Sequence, residues 1–299
     1  MSVTRPSRKD RVVAQYDSTL AADEYAHAYD RERPEGRFFR ARLRLVQDIL
    51  ARCPGGDLLD AGCGPGMIAH TLLQSRPRDF RITVLDQSPA MVEYCAANTR
   101  PVGGVRPTVG RLEALPYADG TFDVTLAMGV LEYVDARRAI GELCRVTRPG
   151  GLVVVTMLNP LSPYRVVEWF FYWPLLRIIE AVERVFAIPV ERRHRACFTG
   201  IHAFPSGTLR RFMTEARLQP VDLVYYDITM LLPPLDRIPW IARKAEQASR
   251  KRVTAAGRHR WLGTGYLLAA RRSQVRLQHG YDISRSSRNY ARRPAQTAP

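Results

Sequence analysis

Short apolar segments and amphipathic stretches alternate along the first half of the chain. The apolar segments are rich in β-branched residues or bounded by turn residues, and they cover 57–61, 81–85, 122–128 and 151–157, with a weaker example at 106–109. Near-continuous apolar character is typical of strands buried on both faces of a parallel sheet. We therefore predict a central sheet covered by helices on both sides.

Helical periodicity fills the intervals between these predicted strands. Ser88 is a typical N-cap residue, and the predicted helices cover 38–53, 67–75, 89–98 and 135–147. Strand–helix alternation of this kind predicts a doubly wound α/β fold.

The pattern changes after the strand at 151–157. Residues 159–203 are rich in aromatic side chains and carry the basic cluster Arg192-Arg193-His194-Arg195. The α/β pattern then resumes, with a helix at 206–217 and strands at 221–227 and 265–270. We therefore predict that the aromatic segment is an insertion in the fold and not a separate domain.

Charge is distributed unevenly along the 299 residues. The net charge is +16, yet residues 57–236 carry 19 basic and 19 acidic groups, whereas 237–299 carry 15 basic and 2 acidic groups. This predicts a neutral body and a basic C-terminal end, the last part of which is a solvated tail. A basic end of this kind attracts nucleic acid or an anionic membrane surface.

Other sequence features bear on the compartment and on metal binding. No charge-free segment is long enough to span a membrane, and the polar N-terminus does not have the pattern of a secretory signal. The cysteines do not have paired spacing, which argues against a disulfide framework and against a metal site; they are Cys53, Cys63, Cys95, Cys144 and Cys197. We expect a cytoplasmic protein with no bound metal.

A glycine-rich loop follows the first predicted strand and precedes a helix. Gly62, Gly64 and Gly66 let the backbone turn sharply and let a ligand approach the helix N-terminus. A dinucleotide fingerprint requires glycine where this chain has Met67. The carboxylate of Asp60 suits an ammonium group better than a pyrophosphate. A tight turn that binds no ligand is the alternative.

The run at 58–66 resembles motif I of the class I S-adenosylmethionine-dependent methyltransferases. Four later stretches resemble further motifs of that family in the same order, at 84–91, 115–124, 129–134 and 145–151. The resemblance extends over 38–157 and, loosely, over 205–271, and it is strongest to the quinone-biosynthesis and small-molecule enzymes. It implies S-adenosyl-L-methionine as cofactor.

The resemblance also implies roles for individual residues. Asp60, Gly62 and Gly64 would line the methionine end of the cofactor, and Met128 would lie near its sulfonium. Asp86 would hold the ribose. Gln87 would lie beside the adenine, and Leu112 would contact the adenine edge through its backbone. Members often carry an acid where this chain has Arg111, so either Glu113 substitutes or that contact is lost. Members also often carry a histidine where this chain has Tyr133.

No single catalytic base follows from the sequence. Tyr133, Glu132 and His202 are candidates by position, and each has a structural alternative as a packing or solvated side chain. A base is needed only if the acceptor loses a proton during methyl transfer.

The fold expected from pattern and resemblance together is a Rossmann-like, doubly wound α/β fold. It has a seven-stranded, mostly parallel sheet with helices on both faces and an α-helical insertion after strand five. The predicted parts are an N-terminal helical cap (1–37), a cofactor-binding core (38–158), an aromatic-rich insertion or lid (159–204), the C-terminal part of the fold (205–271) and a basic, disordered tail (272–299).

The aromatic run at 166–179 gives the main indication of the acceptor. Glu168, Pro174 and Arg177 interrupt it, and an amphipathic helix is predicted to start near Pro174. An aromatic cover favours an apolar small-molecule or lipid-like acceptor, and residues 164–195 could contact a membrane peripherally. A core helix or a dimer-contact helix is the alternative interpretation.

Two other functions are compatible with the sequence. The first is RNA methylation through the basic C-terminal region, in which Arg243-Lys244 and Arg250-Lys251-Arg252 precede Arg258 and Arg260. The adenine-methylating motif is absent after strand four, so nucleic acid is not the expected partner. The second is a cofactor-binding protein without turnover, which Arg111 would favour.

Overall fold

Seven strands form one sheet in the computed structural model, which describes residues 17–189, 193, 201–229, 231–238, 240–241, 243–244 and 260–274. The strands are β1 (Gly56–Ala61), β2 (Phe80–Asp86), β3 (Arg106–Val109), β4 (Phe122–Ala127), β5 (Thr147–Leu158), β6 (Leu218–Ile228) and β7 (Gly263–Arg272). Their order is β3-β2-β1-β4-β5-β7-β6, and only β7 is antiparallel to its neighbours. The predicted α/β fold with a mostly parallel sheet is confirmed.

Helices cover both faces of this sheet. They are α1 (Thr19–His27), α2 (Pro34–Leu50), α3 (Met67–Ser75), α4 (Pro89–Thr99), α5 (Ala136–Val146), α6 (Pro163–Val167), α7 (Trp173–Val185) and α8 (Ser206–Glu215). Single 3₁₀ turns occur at Arg100–Val102, Leu235–Arg237 and Arg260–Leu262. Leu58 faces the core formed with α2 and α3, whereas Leu59 faces the core formed with α5 and α8. Side chains that alternate between two cores explain why the strands are apolar throughout.

Helix α2 begins four residues before the predicted start at 38 and therefore crosses the expected boundary between cap and core. Pro34 occupies the first turn, where its missing N–H is no loss and its fixed φ favours the helix. Arg37, which has no apolar character, belongs to the buried face of this helix. That burial depends on a partner in β6 and is not encoded in the helical periodicity.

The insertion after β5 contains a longer helix than the sequence predicts. The amphipathic helix predicted near Pro174 is present as α7, and helical structure already starts at Pro163, because the Ser162 hydroxyl accepts the Arg165 N–H and caps the first turn. A π-helical segment, Glu168–Tyr172, then joins α6 to α7. The wider π turn lets Pro174 lie within a continuous helical stretch although proline lacks an N–H.

Several sequence-based expectations concern residues that the structure does not describe. Outside the described residues lie Arg192, His194, Arg195, Cys197, the run Arg250-Lys251-Arg252, Arg258 and all but the first three residues of the predicted tail at 272–299. Among the described residues, no helix is both long enough and apolar enough to cross a membrane.

Candidate functional site

The glycine-rich loop joins β1 to α3 at the carboxyl end of the parallel strands. Gly62 and Gly64 have φ of +83° and +51°, in the left-handed region that favours glycine. A Cβ at Gly62 would approach the Val130 side chain to 2.8 Å. A Cβ at Gly64 would project into open space, with the nearest atom on Tyr25 at 3.9 Å. The loop therefore leaves room for a ligand directly above its backbone.

Asp86 ends β2 beside this loop. Its Oδ2 accepts the Gly64 N–H at 3.0 Å and its Oδ1 accepts the Ser88 N–H at 3.0 Å. Burial raises the pKa of Asp86, while these backbone N–H groups act in the opposite direction. Each carboxylate oxygen keeps a further lone pair, so the group can still accept hydrogen bonds from a pair of hydroxyls.

Asp60 is a buried carboxylate near the end of β1. It is the penultimate residue of that strand and 1% exposed, and among the described residues neither Oδ1 nor Oδ2 has a hydrogen-bond partner. Its pKa is raised to about 7, because burial and the nearby Asp86 raise it by more than Arg42 lowers it. Because an unpaired buried carboxylate is costly, the surroundings of Asp60 are suited to a cationic ligand group.

The N-terminal helices contribute side chains that the sequence analysis missed. Nη2 of Arg42 donates to the hydroxyls of Tyr25 at 3.4 Å and Tyr29 at 3.3 Å, so α1 and α2 are joined above the loop. Arg42 is 5% exposed, and an ideal Cβ at Gly129 would lie 2.0 Å from its Nη1. Nothing in the local pattern distinguished this arginine from Arg40 and Arg44, which are only half-buried on the same helix.

Two adjoining cavities lie over the carboxyl ends of the strands. The smaller, about 100 Å³, is bounded by the glycine loop, Asp86, Met91, Met128 and α1, and we call it the cofactor cavity. The larger, about 510 Å³, lies between α2, the insertion and β6, and we call it the acceptor cavity. Four residues line both, namely Tyr25, Arg42, Gly129 and Tyr133. A molecule in one cavity can therefore contact a molecule in the other.

Most of the predicted cofactor residues meet at the smaller cavity. Gly62, Gly64, Asp86, Gln87 and Met128 line it, and Asp60 lies within the electrostatic range of Asp86. Leu112 does not line it, because its side chain packs in the α5-side core with 3% exposure. Arg111 and Glu113 do not line it either, and their charged groups are 3.8 Å apart.

The three candidate bases occupy different positions. Tyr133 lines both cavities, and Glu132 lines the acceptor cavity. Oε1 of Glu132 accepts the Leu158 N–H at 3.1 Å, and burial raises the pKa of this carboxyl. The structure does not bring His202 to either cavity, since its side chain is exposed. Its contact with Glu132 is a hydrogen bond from the His202 backbone N–H to the Glu132 backbone carbonyl.

Comparison with known proteins agrees with this geometry. Residues 59–155 match a family described as a methyltransferase domain. The chain is 30% identical over 193 residues to the ubiquinone/menaquinone biosynthesis C-methyltransferase UbiE of Geobacter sulfurreducens. This alignment covers 60% of this chain and 75% of that protein. The protein therefore belongs to the class I S-adenosylmethionine-dependent methyltransferases, as the motifs predicted.

Other relatives match over a smaller share of their length. A malonyl-[acyl-carrier protein] O-methyltransferase of Hahella chejuensis is 36% identical over 107 residues, 36% of this chain and 37% of that one. An uncharacterized transposon protein of Streptomyces fradiae is 35% identical over 117 residues, 39% of this chain and 34% of that protein. The chain thus spans about a third of the length of these two relatives.

Two solved structures share the fold at low sequence identity. The methyltransferase in complex with the Trm112 activator from Haloferax volcanii has a TM-score of 0.56 at 17% identity, over 90% of this chain and 99% of that chain. A methyltransferase of Thermotoga maritima has a TM-score of 0.54 at 17% identity, over 87% of this chain and all of that one. At this identity the likeness supports the fold alone.

Proposed function

We propose that this protein transfers a methyl group from S-adenosylmethionine to an apolar or lipid-like small molecule held in the acceptor cavity. The observation that carries the proposal is the pair of cavities that meet at Gly129 and Tyr133. Aromatic side chains wall the larger one, among them Phe38, Trp169 and Trp173. The Geobacter relative, a ubiquinone/menaquinone biosynthesis C-methyltransferase by name, is compatible with such an acceptor.

The side chains around the smaller cavity fit S-adenosylmethionine. The unpaired carboxylate of Asp60 suits the ammonium group, and the guanidinium of Arg42 suits the carboxylate of the methionine part. Asp86 suits the ribose hydroxyls, and Gln87 lines the adenine end. Space above Gly64 accommodates the ligand. When bound, this cofactor supplies an electrophilic methyl carbon and a neutral sulfide leaving group.

The residues of the chain then act mainly by alignment. Tyr133 and Gly129 border both cavities, so they fix the approach of the acceptor atom to the methyl group. If the acceptor atom carries a proton, Glu132 is the group positioned to take it. Its raised pKa makes it a stronger base than an exposed glutamate. The acceptor–carbon bond forms as the sulfur–carbon bond breaks, and the acceptor proton passes to the carboxylate.

Comparison of extracts from cells with and without the gene tests the acceptor class. We expect an apolar metabolite to lose about 14 Da, the mass of one methylene unit, when the gene is deleted. Incubation of the deletion extract with purified protein and labelled cofactor should restore the methylated metabolite. Labelling of RNA or protein alone would replace the proposed acceptor class, and cofactor binding without any labelled product would favour a binding protein without turnover.

Cofactor affinity should depend on pH through Asp60. The free carboxyl has a pKa of about 7, and an ammonium ligand needs it ionised. We expect the Kd of S-adenosylhomocysteine, which carries the same ammonium, to rise up to about tenfold for each pH unit below 7 and to level off above it. Calorimetry in buffers of different ionisation enthalpy should show proton release on binding at low pH. A flat Kd from about pH 5.5 to 8.5 would contradict this assignment.

The outer face of the insertion supports a proposal of peripheral membrane contact. Phe170 and Phe171 are 70% and 67% exposed, although Trp169 and Trp173 beside them line the acceptor cavity. The exposed apolar stripe continues along α7 and consists of Leu175, Ile178, Val182, Val185 and Phe186. Exposed apolar stripes next to arginines are typical of interfacial helices.

A double change, Phe170→Ser with Phe171→Ser, tests this contact. We expect co-sedimentation with anionic phospholipid vesicles to weaken by roughly 10²- to 10⁴-fold, because each of the two phenyl rings contributes about 1.5–3 kcal/mol on leaving water. Val221→Ser is the control, since Val221 is 56% exposed on β6 and does not belong to the exposed stripe of the insertion. Equal binding by the double variant and the wild type would reject the proposal.

A further inference from the structure

The acceptor cavity contains a buried guanidinium with unused donors. The side chain of Arg37 is 6% exposed, and its Nε donates to Oδ1 of Asp227 at 2.6 Å. Its two terminal nitrogens are buried, and in the described part of the chain neither has a hydrogen-bond partner. Buried charged donors are seldom left unpaired, so these N–H groups are a candidate contact for a ligand.

Asp227 holds this guanidinium in one orientation. Its second oxygen, Oδ2, accepts the hydroxyl of Thr264 at 2.5 Å. Asp227 also has a φ of +52°, which a non-glycine residue adopts when its surroundings fix it. The carboxylate is therefore anchored on β6 and β7 and engages only Nε, which leaves both terminal nitrogens of Arg37 available.

A second buried arginine lines the same cavity. Nη1 of Arg165 donates to Oε2 of Glu168 at 2.5 Å, and its Nε has no partner within the described ranges. Its guanidinium carbon lies 5.4 Å from the ring centroid of Phe38, the residue next to Arg37. Glu168, like Asp227, is thus already paired with an arginine.

Overall charge does not account for ligand preference in this cavity. Arg42 adds a third positive group, and Glu35 and Glu132 add two further carboxyls. Asp236, which is buried within electrostatic range of Arg37, adds another carboxyl. The carboxyl groups around the cavity therefore outnumber its three arginines, and the total charge does not favour an anion. Any selectivity for an anion must come from the directed N–H groups of Arg37.

We propose that the acceptor is amphiphilic and carries a carboxylate or phosphate group that binds the terminal nitrogens of Arg37. Two parallel N–H donors match two oxygens of either group. The apolar body of the molecule would then lie against Phe38 and Trp169. This inference rests on the proposed function, because it takes the larger cavity to be the acceptor site.

The anion serves as an anchor and is not itself the methylated atom. Arg37 and Arg42 are five residues apart on α2, which separates them by about 7.5 Å along the helix axis. Arg42 lies where the two cavities meet. We therefore expect the acceptor atom near Arg42 and the anionic group near Arg37, which is more than one helical turn away along α2.

Binding of three matched probes to the full chain tests the inference. The probes are 2-naphthoate, 2-naphthyl phosphate and the neutral 2-naphthamide, each titrated by calorimetry with and without S-adenosylhomocysteine. We expect at least one anionic probe to bind at least about tenfold more tightly than the amide. The tighter of the two anions identifies the oxyanion. Equal affinity for all three probes would overturn the proposal.

Two variants assign any preference to Arg37. The double change Arg37→Gln with Asp227→Asn removes both charges but retains polar groups, and asparagine tolerates the left-handed backbone at position 227. It should reduce the preference for the anion to less than about twofold. Arg37→Lys keeps the charge but loses the paired donors, and it should also reduce the preference at least about threefold. If the double variant does not fold, the Arg37→Lys variant alone tests whether the preference for the anion depends on Arg37. Persistence of the preference in a folded variant would refute the role of Arg37.

A matched control and a separate measurement distinguish this inference from the proposed function. Arg81→Gln removes an arginine from the exposed pair with Asp57, away from both cavities, and should leave all probe affinities unchanged. S-adenosylhomocysteine should bind the Arg37 variants as tightly as the wild type. Failure of S-adenosylhomocysteine to bind the wild type would count against the proposed function, whereas the anion preference would still be measured on the protein alone.

Discussion

The Asp60→Asn variant is expected to bind S-adenosylmethionine at least about 100-fold more weakly than the wild type and yet to be more stable without ligand. Binding weakens because the amide cannot neutralise the ammonium group, and charged hydrogen bonds of this kind contribute about 1.5–3 kcal/mol each. Calorimetry with S-adenosylhomocysteine measures the first effect. Chemical unfolding of the ligand-free protein at about pH 8 measures the second.

The expected gain in stability follows from the direction of the pKa change. The carboxyl of Asp60 has a pKa of about 7 in the folded chain and an ordinary value of 3.8. Ionisation therefore destabilises the fold as pH rises above about 4, and the full cost is present above pH 7. Asparagine removes this cost, in which the attraction to Arg42 is already included, but it leaves a buried amide without a partner, so we expect a net gain on the order of 1–3 kcal/mol at pH 8.

Asp57→Asn on the same strand is the matched control. The carboxylate of Asp57 is paired with Arg81 and Arg148, and the Arg81 hydrogen bond holds its pKa below the ordinary value. Its removal should reduce stability slightly and leave cofactor affinity unchanged. If Asp60→Asn lowered stability and affinity together, as a general disturbance of β1 would, the assignment of Asp60 to the ammonium group would be wrong.

The second large effect is expected for Glu132→Gln. We expect kcat for the acceptor found in the extract comparison to fall by about 10²–10⁴, because a base that removes a proton during transfer is lost. Glutamine still accepts the Leu158 N–H, so the turn after β4 should keep its conformation. Cofactor affinity and thermal stability should stay close to those of the wild type.

The pH profile separates a base from a structural group. In the wild type, kcat/KM should rise with pH through the elevated pKa of Glu132 and then level off. That acidic limb should disappear in the glutamine variant. His202→Gln is the control, since this exposed side chain lies outside both cavities and its replacement should change kcat less than about twofold. An unchanged profile in Glu132→Gln would exclude a role as base.

The lining of the smaller cavity was largely predictable from short sequence patterns, and the roles of its residues toward the cofactor stay predictions. Asp60, the glycines and Asp86 lie within one strand–loop–helix unit and the strand beside it, where local geometry determines their positions. The backbone contact expected for Leu112 stays a prediction, and its side chain packs in the core and does not line the cavity. The motif therefore predicts that the backbone turns sharply after β1, but it does not predict which neighbouring atoms reach the cavity.

The acceptor side was predictable only in outline. The aromatic insertion indicated a cover, but its helix begins at Pro163 and divides its aromatic residues between the cavity and the outer face. Periodicity could not show this division, because a π-helical segment changes the angular spacing of the side chains. The buried arginines of α2 had the sequence character of a solvated face.

The sequence by itself determined the α/β alternation and the nucleoside loop, and tertiary structure decided what surrounds that loop. Strand burial, glycine turns and helix caps depend on residues a few positions apart, so a linear pattern encodes them. Arg37 and Asp227 are 190 residues apart, and Arg42 reaches the loop only through the packing of α2 against the sheet. The burial and charge environment of these arginines are therefore properties of the folded chain alone.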